Sequence, residues 1–282
     1  MLLVGSRGSG KTSTLHRVAH LLRRRQALTV LIDGRSADHV SDLLGLLAWR
    51  LGVTELTQPT PGETARLLAL LEAVERRLRA REKRELVVLL DEVGSPEQAH
   101  RLFGRLRDDL WRLPVTWAVA ADESDLGSYL QPPADAFFGQ VLTLDPLDAD
   151  SSMALLQGRA PELDRTTAEL LAVQAAGNPR ALIRLAQQVL VDQVSPAQVA
   201  GARERQSDLL RRLGEPARRL YDEVVASGAV SMSEPGLLRR LGWSRPRAQQ
   251  VITTLLAAGL VEVAQEPASR GRPRKLYRAP AP

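Results

Sequence analysis

Eight residues near the start of the chain have the types and the spacing of a phosphate-binding loop. Residues 5–12 read GSRGSGKT and fit the pattern G-x-x-x-x-G-K-[ST]. The apolar residues 1–4 predict a short strand before the loop, and the apolar spacing of residues 14–25 predicts a helix after it. Backbone N–H groups of the loop, and the start of that helix, can then face phosphate oxygens. The pattern predicts a nucleotide site.

The pattern of this loop also predicts the chemical roles of its side chains. We expect Lys11 to reach the β- and γ-phosphates and the Thr12 hydroxyl to ligate Mg²⁺, so ATP and Mg²⁺ are the expected cofactors. The residues predicted to contact the nucleotide are Gly5, Ser6, Arg7, Gly8, Ser9, Gly10, Lys11, Thr12 and Ser13.

Two acidic residues follow a second apolar run, LVVLLDE at residues 86–92. Five consecutive apolar residues predict a central parallel strand that is buried on both faces. Asp91 and Glu92 then lie at its carboxyl end, which is where open α/β sheets bind ligands. We expect Asp91 to hold Mg²⁺, and Glu92 to orient and deprotonate the attacking water. The pair therefore favours ATP hydrolysis over nucleotide storage.

The elements that position these residues alternate between strands and helices, which predicts an α/β fold. Strands are predicted at 28–33, 114–120 and 140–144, and helices at 38–51, 62–84 and 95–112. This order allows an inserted strand between the strand before the loop and the strand that ends in Asp91.

The sequence GNPR at residues 177–180 lies between two predicted helices, 166–176 and 180–191. Gly177 can end the first helix in a left-handed conformation, and Pro179 suits the first turn of the second. Arg180 then projects from a helix start, where it could fold over the γ-phosphate as part of a helical lid. A plain hinge with a solvated arginine is the alternative.

Composition excludes several classes of site. The chain has no cysteine, so disulfides and thiolate metal sites are excluded, and its four histidines form no metal-binding motif. No run approaches the roughly 18 apolar residues of a membrane span, and because the loop comes so early we expect no signal segment. The cytoplasm is the expected location.

Positive charge is concentrated at the carboxyl end. Residues 207–282 contain 13 basic and 7 acidic residues, whereas the whole chain has a net charge of +5. Such asymmetry predicts a polyanionic partner. The segment also predicts helices at 215–227, 233–241 and 245–258, then strands at 259–263 and 275–278 around a basic loop, which is a helix-turn-helix with a hairpin.

That arrangement predicts a duplex DNA interface. The start of the last helix would face the major groove, and the loop would contact phosphates or the minor groove. The predicted DNA-binding residues are Arg245, Arg247, Gln249, Gln250, Arg270, Arg272, Arg274 and Lys275. A protein partner for the same surface is the alternative.

Residues 2–206 resemble the AAA+ and STAND families, particularly the branch of origin-initiator ATPases. The resemblance is carried by residues 5–12, 86–92, 144–148 and 177–180. It implies an ATPase core with a helical lid, and a second-sensor arginine at Arg180, so Lys11, Glu92 and Arg180 are the expected catalytic residues. Only four residues precede Gly5, where most members have a segment that closes over adenine. The C-terminal segment resembles the winged-helix domains of bacterial and archaeal regulators.

Two further family positions are less defined. Asp122 is the nearest candidate for the first sensor. An arginine finger, which in the family acts across a subunit interface, has four candidates, Arg101, Arg105, Arg107 and Arg112.

The expected organisation is an ATPase core at 1–146, a helical lid at 147–206 and a winged-helix domain at 207–282. The expected function is a switch with weak, regulatory ATP hydrolysis that binds duplex DNA, as an initiator, a DNA-targeting ATPase or a regulatory ATPase. Homo-oligomers or a partner protein are further expected associations, and no membrane is expected. The alternative is a STAND-like regulatory or scaffold protein whose winged helix binds a partner protein.

Overall fold

The computed structural model describes residues 1–34, 37, 39–53, 62–80, 86–93, 95–266 and 274–280. Its chain divides into two units. The first comprises Met1–Ser6 and Gly10–Asp145, and the second comprises Arg7–Ser9 and Pro146–Pro282. The tip of the glycine-rich loop therefore groups with the second unit. The predicted division at residues 146 and 206 is finer than this one and stays a prediction.

A parallel five-stranded sheet forms the centre of the first unit, in the order β2-β3-β4-β1-β5. The strands are β1 (Leu2–Gly5), β2 (Leu28–Asp33), β3 (Leu86–Asp91), β4 (Val115–Asp122) and β5 (Val141–Leu144). Strand β4 pairs with both β1 and β3, so the predicted inserted strand is confirmed. All six residues of β3 are buried, as its apolar run predicts.

Pairing brings the carboxyl ends of the three central strands to one edge of the sheet. Gly5 at the end of β1 is in register with Asp122 at the end of β4. Asp91 at the end of β3 is in register with Ala120, two residues earlier on β4. Residues that are far apart in sequence therefore meet where the glycine-rich loop begins.

Helices cover both faces of this sheet. They are α1 (Lys11–Arg24), α2 (Val40–Arg50), α3 (Glu63–Arg79), α4 (Pro96–His100), α5 (Arg107–Arg112) and α6 (Leu126–Leu130). Leu15 and Ala19 of α1 pack on one face, against Leu89 and its neighbours. Helices α2 and α3 pack on the other face in a larger cluster. Alternate residues of β3 serve the two faces, as the pleat requires.

The helix predicted at 95–112 is interrupted. Ser95 caps α4, because its hydroxyl oxygen accepts from the Gln98 N–H at 3.3 Å. A π-helical turn follows over Arg101–Arg105 and separates α4 from α5. This wider turn buries the consecutive residues Leu102, Phe103 and Gly104. An ordinary helix face, spaced at three and four residues, would not bury all three.

The second unit begins with a helical layer, α7 (Ala149–Arg159), α8 (Arg165–Ala175), α9 (Pro179–Leu190) and α10 (Pro196–Leu213). Leu156, Leu171 and Leu182 lie at the centre of its core. Helix α10 is continuous through residue 206, where the sequence predicts a domain boundary. Its Leu210 belongs to the next core along the chain.

Three helices and a hairpin complete this unit: α11 (Glu215–Ser227), α12 (Pro235–Leu241), α13 (Arg245–Ala257), β6 (Glu262–Glu266) and β7 (Arg274–Arg278). The strands pair antiparallel. Leu220, Val224, Leu237 and Ile252 are fully buried together. The predicted helices are confirmed to within two residues, whereas β6 begins three residues later than expected. Among the described residues, no helix combines the length and the apolar character needed to cross a bilayer.

Candidate functional site

The glycine-rich loop connects β1 to α1 with two residues in left-handed backbone conformations. Gly8 has a φ of 83° and Gly10 a φ of 102°, values that L side chains rarely adopt. Gly10 is also the N-cap of α1, and no side-chain hydrogen bond caps this helix. The first N–H groups of a 14-residue helix are thus left for a ligand that brings its own acceptor oxygens.

Lys11 is buried beneath the loop, with 5% of its surface exposed. Its Nζ donates to the carbonyl oxygens of Gly5 at 2.8 Å and Ser6 at 3.1 Å. Asp122 Oδ2 lies 3.5 Å from the same nitrogen. Because a buried ammonium is costly unless it is paired, these partners hold the charge at the carboxyl edge of the sheet.

Thr12 and Asp91 form the pair that the sequence predicts for a metal. The Thr12 hydroxyl donates to Asp91 Oδ2 at 2.7 Å. Asp91 is only 4% exposed, and its Oδ1 is buried with no hydrogen-bond partner within the described part of the chain. A hydroxyl and a carboxylate with a spare oxygen are ligands that Mg²⁺ accepts. The donor set therefore fits a divalent cation.

Glu92 follows Asp91 in an unusual backbone conformation. It is half-buried, and its φ of 64° lies in the left-handed region, which is rare for a residue with a side chain. Its N–H donates to the Ala120 carbonyl oxygen at 3.0 Å, so the chain leaves β3 while still bonded to β4. Strained conformations of this kind persist only where the surroundings impose them.

The GNPR segment adopts the geometry that the sequence predicts. Ala176 and Gly177 both have positive φ and end α8, and Pro179 occupies the first turn of α9. Asn178 caps α9, since its Oδ1 accepts from the Ala181 N–H at 3.1 Å. The role of Asn178 was not anticipated, although Asn before a helix that begins with Pro is a recognisable cap.

Within the second unit, this segment contacts the loop tip, Arg7–Ser9. Asn178 Nδ2 donates to the Arg7 carbonyl oxygen at 2.8 Å, and the Arg180 N–H donates to the Gly8 carbonyl oxygen at 3.3 Å. A Cβ on Gly8 would lie 2.7 Å from Asn178 Oδ1, so Gly8 must be glycine for a second reason. Ser9 Oγ is buried with no partner among the residues described.

The Arg7 side chain reaches α11. Its guanidinium contacts the Ser227 hydroxyl and lies 3.5 Å from Glu223 Oε2. The same carboxylate is paired with Arg240 of α12 at 3.0 Å. Glu223 therefore links two arginines that are more than 200 positions apart in sequence. The sequence predicts only a nucleotide contact for Arg7, because nothing in its local pattern indicates a partner on α11.

The predicted DNA-binding residues fall into two groups. Arg245, Arg247, Gln249 and Gln250 are exposed at the start of α13. Ser244 is the N-cap of α13, although its hydroxyl makes no capping bond. Arg270 and Arg272 lie outside the described residues. Strand β7 includes Arg274 and the exposed Lys275, so Arg274 is part of the strand rather than of the basic loop.

Two guanidinium groups lie over the ring of Trp243, beside α13. Arg247 lies over its ring at 5.4 Å from the centroid, and Arg219 of α11 lies at 5.9 Å. No carboxylate of a described residue is within ion-pairing distance of either arginine. Trp243 and Arg219 were not anticipated, because a single Trp and an Arg 24 positions away share no sequence pattern.

Three of the four arginine-finger candidates pair with nearby carboxylates, Arg101 with Glu63 at 2.7 Å, Arg107 with Asp108 at 3.1 Å and Arg112 with Asp109 at 3.6 Å. Arg105 is exposed and pairs with no carboxylate in the described ranges. The first-sensor candidate Asp122 contacts Lys11, and its Oδ1 accepts from the Ser124 hydroxyl at 2.7 Å.

Comparisons with known proteins agree with the geometry of the loop. Residues 1–130 match the family model described as "AAA domain". No curated protein matches the chain. Among solved structures, Orc1 of Aeropyrum pernix is 18% identical with a TM-score of 0.51, and Cdc6p of Pyrobaculum aerophilum is 17% identical with a TM-score of 0.52. Each match covers 99% of this chain and 82% of the other. The chain shares their fold, and its first 130 residues indicate a P-loop NTPase of the ATPase type.

Proposed function

We propose that the chain is a switch of the origin-initiator type that binds and hydrolyses ATP and binds duplex DNA. The observation that carries the proposal is the Thr12–Asp91 pair, with its unpartnered carboxylate oxygen, next to the glycine-rich loop. A buried, unsatisfied acidic oxygen is costly, and a nucleotide-bound cation removes that cost.

The first unit supplies the groups that bind Mg-ATP. The N–H groups at the start of α1 donate to phosphate oxygens, and Lys11 exchanges its loop carbonyl partners for the β- and γ-phosphates. Thr12 and Asp91 would hold Mg²⁺, which when bound would supply positive charge to offset that of the phosphates.

Glu92 is the proposed base for hydrolysis. It accepts a proton from water as the water oxygen bonds to the γ-phosphorus, and the bond from that phosphorus to the β–γ bridging oxygen breaks to give ADP and phosphate. We also propose Arg180 as the second sensor. Its place in the first turn of α9, with its N–H bonded to Gly8, supports that role.

We propose further that residues 207–282 act as a winged helix on duplex DNA. Three helices followed by an antiparallel hairpin, and the exposed Arg and Gln side chains at the start of α13, support this assignment. The local excess of six positive charges suits a phosphate backbone. The Aeropyrum pernix Orc1 structure, which shares the fold, was solved in complex with DNA.

Two substitutions test the nucleotide part. Lys11→Ala should abolish Mg-ATP binding in calorimetry, whereas Glu92→Gln should bind Mg-ATP at close to the parent affinity and reduce turnover by about a hundredfold or more, within the range for a general base. Hydrolysis by Glu92→Gln at the parent rate would show that the base is another group.

The alternative is a scaffold whose C-terminal block binds a partner protein. The two proposals differ in their response to salt, because a protein that neutralises phosphates releases counterions. Duplex DNA affinity should fall steeply as salt rises, and replacing Arg272 and Arg274 with Ala should flatten that dependence by about one unit of slope for each phosphate that is no longer neutralised. DNA binding that ignores salt, or that the double variant leaves unchanged, would favour the scaffold.

A further inference from the structure

Gly34 lies so close to the backbone of Glu92 that a residue with a side chain would not fit at position 34. Gly34 follows β2, which pairs with β3, and it is buried. A Cβ on Gly34 would lie 2.1 Å from the Glu92 carbonyl oxygen and 3.2 Å from Val93 Cα. The obstacle is backbone, which cannot move aside as the end of a flexible side chain can.

The φ of Gly34 is not positive, so its backbone conformation does not require glycine. What requires it is the space taken by the Glu92 carbonyl group. Glu92 in turn is one of only four described non-glycine residues with a positive φ. The strained residue and the residue that makes room for it are therefore in direct contact.

Tyr129 contacts the next residue along the same segment. Its side chain is buried, 2% exposed, among Phe103 and Phe138. Burial, together with the nearby carboxylates of Asp125 and Glu92, raises the pKa of this tyrosine, and the Val93 backbone N–H, which faces the hydroxyl oxygen as a donor, acts in the opposite direction. The phenol stays neutral, and its oxygen remains a fixed partner for the Val93 backbone.

We infer that Gly34 and Tyr129 are positioning residues for ATP hydrolysis, which hold the left-handed turn at Glu92–Val93 so that the Glu92 carboxylate is aimed at the attacking water. Gly34 accommodates the Glu92 carbonyl group, and Tyr129 bonds the peptide that follows. Neither residue needs to touch the nucleotide. The inference rests on the proposed role of Glu92 as the base.

Gly34→Ala is the direct test, measured in the full chain. The added methyl group displaces the Glu92 carbonyl, so we expect kcat for ATP hydrolysis to fall at least tenfold. The Kd for a non-hydrolysable ATP analogue with Mg²⁺ should change by less than threefold. Gly45→Ala is the matched control, since a Cβ there meets nothing within 4 Å, and its kcat should equal that of the parent.

Tyr129→Phe keeps the ring packing and removes only the hydroxyl. It should lower kcat for ATP hydrolysis about threefold or more and leave the Kd for the ATP analogue unchanged. If Gly34→Ala does not fold, the kcat of Tyr129→Phe is by itself the test of the inference. Parent-like kcat in the folded variants would overturn the inference.

A double variant separates this inference from the proposed function. In a Glu92→Gln background, Gly34→Ala should lower the residual rate no further, because both changes act through one carboxylate. An additional tenfold loss there would overturn the inference while leaving Glu92 as the base. Parent-rate hydrolysis by Glu92→Gln alone would overturn the proposed base, and this inference with it.

Discussion

The hydroxyl of Thr12 donates a 2.7 Å hydrogen bond to Asp91, which joins the first turn of α1 to the end of β3. The two residues are 79 positions apart, and parallel pairing through β4 brings them together. Two predicted metal ligands are thus already in contact, so cation binding requires a local exchange of partners rather than assembly of a site.

Thr12→Ala should weaken Mg-ATP binding about tenfold or more, which corresponds to roughly 1.4 kcal/mol. The variant loses the hydroxyl that we propose as a metal ligand, so the bound cation has one protein oxygen fewer. Thr12→Ser keeps the hydroxyl and should bind close to the parent level. Calorimetry should show the loss of ATP affinity with Mg²⁺ present and little loss with EDTA. An equal loss of affinity under both conditions would contradict a role of Thr12 in metal binding.

Gly177→Ala should destabilise the second unit by about 2 kcal/mol or more. Gly177 has a φ of 73°, and an added Cβ would lie 2.5 Å from the Leu147 carbonyl oxygen. Gly158→Ala in α7 is the control, since a Cβ there meets nothing within 4 Å, and alanine should stabilise that helix by roughly 0.5–1 kcal/mol. Denaturant unfolding measures both. Equal midpoints for the two variants would refute the steric argument.

Asp164→Ala should lower the melting temperature by a few degrees at neutral pH, and the effect should disappear in acid. Hydrogen bonds from the Thr167 hydroxyl and N–H lower the pKa of Asp164, the N-cap of α8. A lowered folded-state pKa gives stability that is present above the ordinary carboxyl pKa of about 3.9 and is lost as pH falls through the folded value. Thermal unfolding at neutral pH and near pH 3 tests this.

The matched control is Asp164→Asn, because asparagine caps a helix nearly as well but does not titrate. Its stability difference from Asp164→Ala should persist across the same pH range. A parent-to-Ala difference that stays constant down to pH 3 would show that the carboxylate is not the stabilising group.

Trp243→Leu should reduce duplex DNA affinity about three- to tenfold, since two cation–π contacts of roughly 0.5–1 kcal/mol each orient Arg219 and Arg247. The salt slope should stay the same, because both charges remain. Arg247→Ala, which removes a predicted base contact, should cost about 1–3 kcal/mol of affinity and relax the sequence preference. Trp243→Phe retains an aromatic face and should lose less. A changed slope in Trp243→Leu would point to altered folding, which a thermal melt checks.

Local patterns predicted much of this structure. The glycine-rich loop, the buried strand that ends in Asp91, and the GNPR turn are short and have distinctive residue types, so their geometry follows from sequence. The contacts that Gly34, Tyr129 and Asn178 make with distant parts of the chain were not predictable. Those contacts depend on the tertiary fold, and no local spacing of residue types indicates them.

In other places tertiary packing overrides the pattern of the local sequence. A strong helical pattern at 95–112 yielded a π-helical turn, because burial of Phe103 and its neighbours overrode regular spacing. Helix α10 continues through residue 206, near which the composition changes, and its Leu210 packs in the following core. A change of composition therefore need not coincide with the end of a helix.

The contacts of α10 have a mechanical consequence. This helix packs against α8 and α9 and also against α11. Its 18 residues span about 27 Å, at 1.5 Å of rise per residue. We therefore expect this helix to couple a movement of α9, which carries Arg180, to the helices that precede α13.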